Sequence, residues 1–214
     1  NPYNGGSGSG SGSNGDFGSF QNGAGFDIET AMRARAIHGI LGALAMVIFF
    51  PAGSIFMRVI PGRFALWIHA LAQMIAYCVY IAAVGLGLYL MTNPNTSYHP
   101  IIGIVVLVFL FLQPFLGLIH HAKFKKVQRR QIWSYLHIFN GRIFITLGIA
   151  NGALGLYMAG ESNTLKKAYI AVAIVMWVLW MLSAFWGELR RWRASKRGIQ
   201  PRRKFSDGEA PSAF

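Results

Sequence analysis

The sequence predicts an all-α membrane protein with five transmembrane helices. Of its 214 residues, 54% are apolar and only 13% are charged, and the mean hydropathy is +0.41. Soluble domains are about 25% charged, so this composition excludes a disordered chain and argues against a soluble globular domain. The single cysteine, Cys78, excludes a disulfide scaffold. Five apolar stretches are each about 20 residues or longer, which is enough to cross a hydrocarbon core of about 30 Å.

The five stretches define the predicted domain organisation. Because no water satisfies the backbone inside the bilayer core, each stretch must form a helix. Pro61-Gly62 and Asn93-Pro94 mark the first two connections between them. The expected spans are residues 36–57, 64–90, 100–122, 133–158 and 168–187. They lie within an expected transmembrane domain of residues 28–190, which is followed by a basic cytoplasmic tail at residues 191–214.

Residues 1–27 are predicted to form a flexible linker. They are rich in Gly, Ser and Asn, and they contain too few apolar side chains to become ordered by burial. The chain begins with Asn1 and no basic and apolar leader precedes the spans, so we expect a processed product or a piece of a longer protein. The linker is then either a simple tail or a tether to an upstream domain.

The basic residues collect on one side of the predicted membrane. An odd number of spans places the two termini on opposite sides. Fifteen of the 20 Lys and Arg residues fall on the side of the C-terminus, whereas the bases and acids on the other side balance. The positive-inside rule therefore places the N-terminus outside and the C-terminus in the cytoplasm. Because this topology accounts for the net charge of +13, no nucleic-acid partner is required.

Four of the six histidines lie early in the first four spans, one in each: His38, His69, His99 and His137. Consecutive spans run in opposite directions, so His38 and His99 are expected near the outer face. His69 and His137 are then expected near the inner face, with the two layers on the order of 20 Å apart at a helical rise of 1.5 Å per residue. A lone histidine at a helix end is ordinarily interfacial, but one per helix in two layers indicates a functional site.

Each layer offers two imidazoles from different helices, which suits the two axial positions of a haem iron. Zinc would need further ligands to complete a tetrahedral site, and no Asp, Glu or Cys lies near either layer. The sequence therefore favours haem over zinc, with His38 and His99 as the outer axial ligands and His69 and His137 as the inner ones. Glycines on the same helices leave room for a flat macrocycle, although close helix packing accounts for them equally well. They are Gly39, Gly42, Gly103, Gly141, Gly148, Gly152 and Gly155.

Three further polar residues lie near the expected inner face. His120 and His121 end the third span beside several lysines. They are either an interfacial pair or residues that hold haem propionates or an anionic electron donor, and as ligands they would compete with His69 or His137. Arg142 lies within the fourth span and needs an anionic or carbonyl partner. A haem propionate is one such partner, and the alternative is that Arg142 extends to the inner surface.

The histidines lie in four short motifs: His38-Gly39, Trp67-Ile68-His69-Ala70, Tyr98-His99-Pro100-Ile101-Ile102-Gly103 and His137-Ile138-Phe139-Asn140-Gly141-Arg142. Their order, and their spacings of 31, 30 and 38 residues, resemble the cytochrome b561 family. The resemblance covers about residues 30–187, including the glycine-rich stretch 148–155. More closely, the chain resembles the b561 module of fungal proteins in which an extracellular DOMON domain precedes the helices.

The resemblance implies that the first four helices form a bundle around two b-type haems. It also implies electron transfer from a cytosolic reductant such as ascorbate to an outer acceptor, either ferric iron or a cofactor of an upstream DOMON domain. The corresponding enzyme would be a transmembrane ferric reductase in the plasma membrane. The family places a basic residue near the cytosolic donor, at Arg63 here. Many b561 proteins have an extra helix before the first ligand, where this chain has its Gly/Ser segment, so their donor sites are not carried over.

Two other classes of function are compatible with five spans. A transporter or channel with a histidine-lined metal or proton path would place binding groups and broken helices near the midplane. The four histidines avoid the midplane, and Pro114 is the clearest interior helix breaker. A passive membrane anchor would need neither four histidines nor more than one span. No Ser-His-Asp, paired-carboxylate or phosphate-loop pattern indicates hydrolytic or phosphoryl-transfer chemistry.

Overall fold

The computed structural model describes residues 28–62, 64–91, 97–127 and 130–197, and these ranges contain helices but no strand. The expected linker at residues 1–27, Arg63, the Asn93-Pro94 turn and the tail beyond residue 197 lie outside them. Seven α-helices and one π-helical turn follow one another along the described chain. They are α1 (Ile28–Ala43), the π turn (Leu44–Phe49), α2 (Phe50–Val59), α3 (Phe64–Tyr89), α4 (Tyr98–Phe111), α5 (Gln113–Val127), α6 (Ile132–Met158) and α7 (Asn163–Lys196).

Together these elements make five helical units that are long and apolar enough to cross a membrane, which confirms the predicted number of spans. The first unit, Ile28–Val59, contains α1, the π turn and α2, and the third, Tyr98–Val127, contains α4 and α5. The fifth unit runs to Lys196, well beyond the predicted end at residue 187. Hydropathy detects only the apolar part of a helix, whereas α7 continues through a charged segment.

The π turn interrupts the first span just before Pro51. Proline has no N–H, so a regular helix would leave the carbonyl four residues earlier without its partner, and a locally wider turn relieves this mismatch. Pro51 is fully buried and the turn packs into the core. After the interruption, Gly53 lies directly against α3, where an added Cβ would come within 2.7 Å of Gln73 Nε2.

A second interruption divides the third span between α4 and α5, at Leu112, two residues before Pro114. Two side chains connect this region to α6. Asn140 Nδ2 donates to the carbonyl of Phe109 (2.9 Å), and Gln113 Nε2 donates to the carbonyl of His137 (3.2 Å). Amide side chains thus hold the interrupted helix against α6 on either side of the break.

The buried core occupies the middle of the bundle, between the sequence positions of the outer and inner histidines. It is made by the π turn and the first residue of α2, together with parts of α3, α4, α6 and α7. Its members are Ala45, Met46, Val47, Phe50, Ala76, Tyr80, Val106, Leu110, Ile145, Ile149, Ala173 and Trp180. Most large apolar side chains elsewhere are exposed, among them Trp67, Leu118 and Leu182. Such a surface is expected where lipid, rather than water, surrounds the helices.

Candidate functional site

The structure brings the four histidines together as two pairs, each formed across two helices. The ring centroids of His38 on α1 and His99 on α4 are 5.8 Å apart, and the ring planes are nearly perpendicular at 87°. The centroids of His69 on α3 and His137 on α6 are 6.4 Å apart, with an interplanar angle of 83°. The pairs are those that the antiparallel order of the spans predicts.

In the pair of His38 and His99, which we call the outer pair after its expected side of the membrane, both imidazoles are held by backbone carbonyls. His38 Nδ1 lies 2.7 Å from the carbonyl of Ala83, and His99 Nδ1 lies 3.0 Å from that of Asn151. The Asn151 side chain completes a reciprocal contact, because its Nδ2 donates to the carbonyl of His99 (3.1 Å). A carbonyl can only accept, so Nδ1 carries the proton in both rings. The lone pair on each Nε2 is therefore available to a metal.

The inner pair is held less symmetrically. His69 Nδ1 donates to the carbonyl of Gly53 (2.8 Å), so this ring also has an Nε2 free to bind a metal. His137 Nδ1 is buried and has no hydrogen-bond partner in the described part of the chain. The backbone of His137 is nevertheless fixed, because its carbonyl accepts the bond from Gln113.

Glycines on the neighbouring helices make space for three of the rings. A Cβ added at Gly87 would lie 2.9 Å from His38, one at Gly155 would lie 2.7 Å from His99, and one at Gly117 would lie 3.3 Å from His137. The sequence analysis identified Gly155 but missed Gly87 and Gly117. The antiparallel order of the helices could have revealed them, because Gly87 lies near the end of the second predicted span and His38 lies early in the first, so the two are at the same height.

The geometry of both pairs fits a haem. Metal–imidazole bonds are about 2 Å long, so two imidazoles on opposite sides of one metal ion have centroids roughly 6 Å apart. The observed separations of 5.8 and 6.4 Å match this value. Across the described ranges, no group of three or more His, Cys, Asp or Glu side chains is placed so that it could hold a metal ion. Each site thus offers two protein ligands, which suits an iron whose remaining ligands come from a macrocycle better than a four-coordinate zinc.

Arginines gather around one carboxylate near the inner pair. Arg130, before α6, forms a two-pronged ion pair with Glu188 on α7, with both N–O distances at 2.7 Å. Glu188 also interacts electrostatically with Arg58, Arg142 and Arg191. One Nη atom of Arg142 is buried without a hydrogen-bond partner among the described residues. Four positive charges thus face one negative charge, which leaves this cluster able to bind anionic groups.

The sequence analysis anticipated Arg142 but not the rest of this arginine cluster. The members come from α2, the start of α6 and α7, and no local pattern in the sequence brings them together. Of the adjacent histidines at the end of the third span, the structure brings His120 to the inner pair. Its ring lies 6.2 Å from that of His137, centroid to centroid, and the two planes are nearly parallel at 16°.

Among the known proteins that are similar to this chain, two share one family name. Both are cytochrome b561 and DOMON domain-containing proteins of Arabidopsis thaliana, each 31% identical to the chain, over 163 and 138 residues. The alignments cover 72% and 63% of this chain. The chain spans only 40% and 34% of the length of these relatives. No family model and no solved structure matches the chain.

Proposed function

We propose that this chain, which is related to the cytochrome b561 family, transfers electrons across a membrane through two b-type haems. The observation that carries the proposal is the pair of cross-helix imidazole sites. Three of the four rings donate Nδ1–H to a backbone carbonyl, which leaves Nε2 free for a metal. Haem iron supplies reversible one-electron chemistry when it is bound.

In this proposal the protein binds the two haems, orients them and separates them by an apolar layer. His38 and His99 hold the outer haem, and His69 and His137 hold the inner haem. The apolar core that separates the two pairs excludes water and ions, so that only electrons would pass between the two bound cofactors. Arg142 binds a haem propionate, because its unpaired buried Nη atom requires an anionic or carbonyl partner.

The direction of transfer is proposed from the distribution of charge. The N-terminus lies outside and the C-terminus in the cytoplasm, since the positive-inside rule assigns the basic side to the cytoplasm. The arginine cluster then faces the cytoplasm and attracts an anionic, ascorbate-like reductant, with screening by salt expected. Residues 28–190 would form the electron-transferring domain, and residues 191–214 would add a basic cytoplasmic tail.

On the outer side, two acceptors are consistent with the proposal. One is ferric iron, in which case the chain is a transmembrane ferric reductase of the plasma membrane. The other is the cofactor of an upstream DOMON-type domain, which residues 1–27 would tether near the outer haem. The names of both relatives include such a domain, which supports the second acceptor.

A reduced-minus-oxidised optical spectrum, with haem counted per chain, tests the proposal. The purified protein is compared with His99→Ala and His137→Ala, and His121→Ala serves as the matched control because it removes an imidazole outside both pairs. We expect a b-type spectrum with two haems in the parent and the control, and about one haem in each of the other variants. Folded protein without haem would refute the proposal, as would two haems retained in both ligand variants.

A further inference from the structure

His137 differs from the other three paired histidines in what its Nδ1 faces. The Nδ1 atoms of His38, His69 and His99 each lie within 3.0 Å of a backbone carbonyl. His137 Nδ1 is buried too, but no atom of the described chain lies within hydrogen-bond range of it. Buried N–H groups are nearly always paired. The partner of His137 Nδ1 must therefore be a different kind of group from the backbone carbonyls that serve the other three rings.

The side chain best placed to be this partner is that of His120. Its ring is nearly parallel to that of His137, with centroids 6.2 Å apart. Rings in full face-to-face contact would have centroids about 3.5–4 Å apart, so the two near-parallel rings are offset from each other. At this separation one hydrogen bond can connect them after a small rotation of either ring, or one water can bridge them.

His120 is itself held in a defined orientation. Its Nδ1 lies 2.6 Å from Ser134 Oγ, and Ser134 Oγ also accepts a bond from the backbone N–H of Gln131 (3.3 Å). Ser134 is 2% exposed, so this contact is closed to solvent. The arrangement links the start of α6 to the middle of α5, and it fixes the His120 ring beside that of His137.

We propose that His120 is a positioning residue for His137, and that its Nε2 accepts the hydrogen bond from His137 Nδ1, directly or through one water. The inference rests on the proposed function, in which His137 binds iron through Nε2. An imidazole bound in this way keeps its proton on Nδ1 and can only donate from there. His120 must then accept through Nε2, so its own proton lies on Nδ1 and is donated to Ser134.

This role has a consequence for the inner haem. An acceptor on the far nitrogen of a ligating histidine makes that ligand more basic and fixes the plane of the ring. A more basic ligand stabilises ferric iron more than ferrous iron, so the contact with His120 lowers the reduction potential of the inner haem. Loss of the acceptor therefore raises that potential, and it also changes the orientation of the His137 ring relative to the haem.

The experiment uses the full chain with His120→Phe, which keeps a flat ring but removes the acceptor, and His121→Phe as the matched control. Ser134→Ala releases the His120 ring, and His120→Gln offers an amide oxygen in place of Nε2. Each protein is titrated by spectroelectrochemistry, and its ferric low-spin electron paramagnetic resonance signals are recorded. The signal that disappears in His137→Ala identifies the inner haem.

We expect two haems in His120→Phe, a more positive potential and an altered resonance for the inner haem only, and a smaller shift of the same sign in Ser134→Ala. His120→Gln should return the inner signal toward that of the parent, and His121→Phe should leave both haems unchanged. An inner potential and resonance unaltered in His120→Phe would overturn the inference, as would an equal shift in His121→Phe. If His120→Phe loses the inner haem and His137→Ala keeps it, His120 is the ligand and the inference is wrong. If the parent binds no haem, it is the proposed function that fails.

Discussion

Gly155→Ala should disable the outer haem site by adding a single methyl group. A Cβ at Gly155 would lie 2.7 Å from Cε1 of His99. Carbon atoms pack at about 3.5–4.0 Å, so the imidazole would have to retreat by roughly 1 Å. The ring is not free to do so, because His99 Nδ1 is bonded to the carbonyl of Asn151 at 3.0 Å.

The size of the effect follows from this conflict. A shift of that size stretches the bond to Asn151 beyond hydrogen-bond range, which costs about 0.5–1.5 kcal/mol. Overpacking a tight contact adds about 1–3 kcal/mol. Together the two terms amount to about 1.5–4.5 kcal/mol, and every 1.4 kcal/mol is tenfold in affinity, so haem binding at the outer site should weaken by roughly 10- to 1,600-fold.

Gly85→Ala is the matched control for this substitution. Gly85 is also helical and lies two residues from Gly87, which packs against the other outer histidine, but an added Cβ at Gly85 meets nothing within 4 Å. Both substitutions gain the same intrinsic helix propensity of about 1 kcal/mol. Haem per chain is measured after purification and after competition with a haem-binding apoprotein. Gly155→Ala should fall to about one haem and Gly85→Ala should retain two, whereas two tightly bound haems in Gly155→Ala would refute the argument.

Two further substitutions test the contacts around the sites. Asn151→Ala removes the donor to the carbonyl of His99 and should lower the free energy of unfolding by about 1 kcal/mol. Thermal denaturation, followed by haem absorbance, measures this change. An unchanged midpoint would mean that this bond contributes nothing to stability. Glu188→Gln removes the carboxylate of the arginine cluster, so reduction by an anionic donor should become faster at low salt and the gain should vanish at high salt. The control is Glu161→Gln, which removes the partner of Arg35 (3.5 Å) near the other end of the bundle. An equal increase in the rate of reduction in both variants would contradict a cytoplasmic donor site.

The number of spans and the pairing of the four histidines were predictable, because both follow from local features of the sequence and from the order of the spans. A run of apolar residues defines a span wherever it lies, and antiparallel order alone assigns His38 to the side of His99. The ends of the spans were harder to predict, since α7 continues to Lys196 and not to the expected residue 187. Its charged segment is anchored to Arg130 through Glu188, a residue 58 positions further along the chain.

What the sequence could not supply are features that depend on where one helix meets another. Gly87 and Gly117 matter because imidazoles from other helices lie against them, whereas many glycines in apolar stretches only let two helix backbones approach closely. The π turn also escaped prediction. Pro51 indicates that the first span is interrupted, but whether a helix answers a proline by bending, ending or widening depends on the packing around it.

The described midplane argues for electrons rather than ions as the species that crosses. A transporter needs polar groups there that bind its substrate and helices that separate. Instead, two tyrosines between the histidine pairs are committed to neighbouring helices: Tyr80 donates to the carbonyl of Gly103 (3.0 Å) and Tyr169 to that of Ile149 (2.7 Å). The π turn adds no polar side chain, because all six of its residues are apolar, and three of them are buried in the core. Such a barrier opposes the passage of a hydrated ion, whereas electron transfer requires only that two fixed cofactors lie close enough on either side of it.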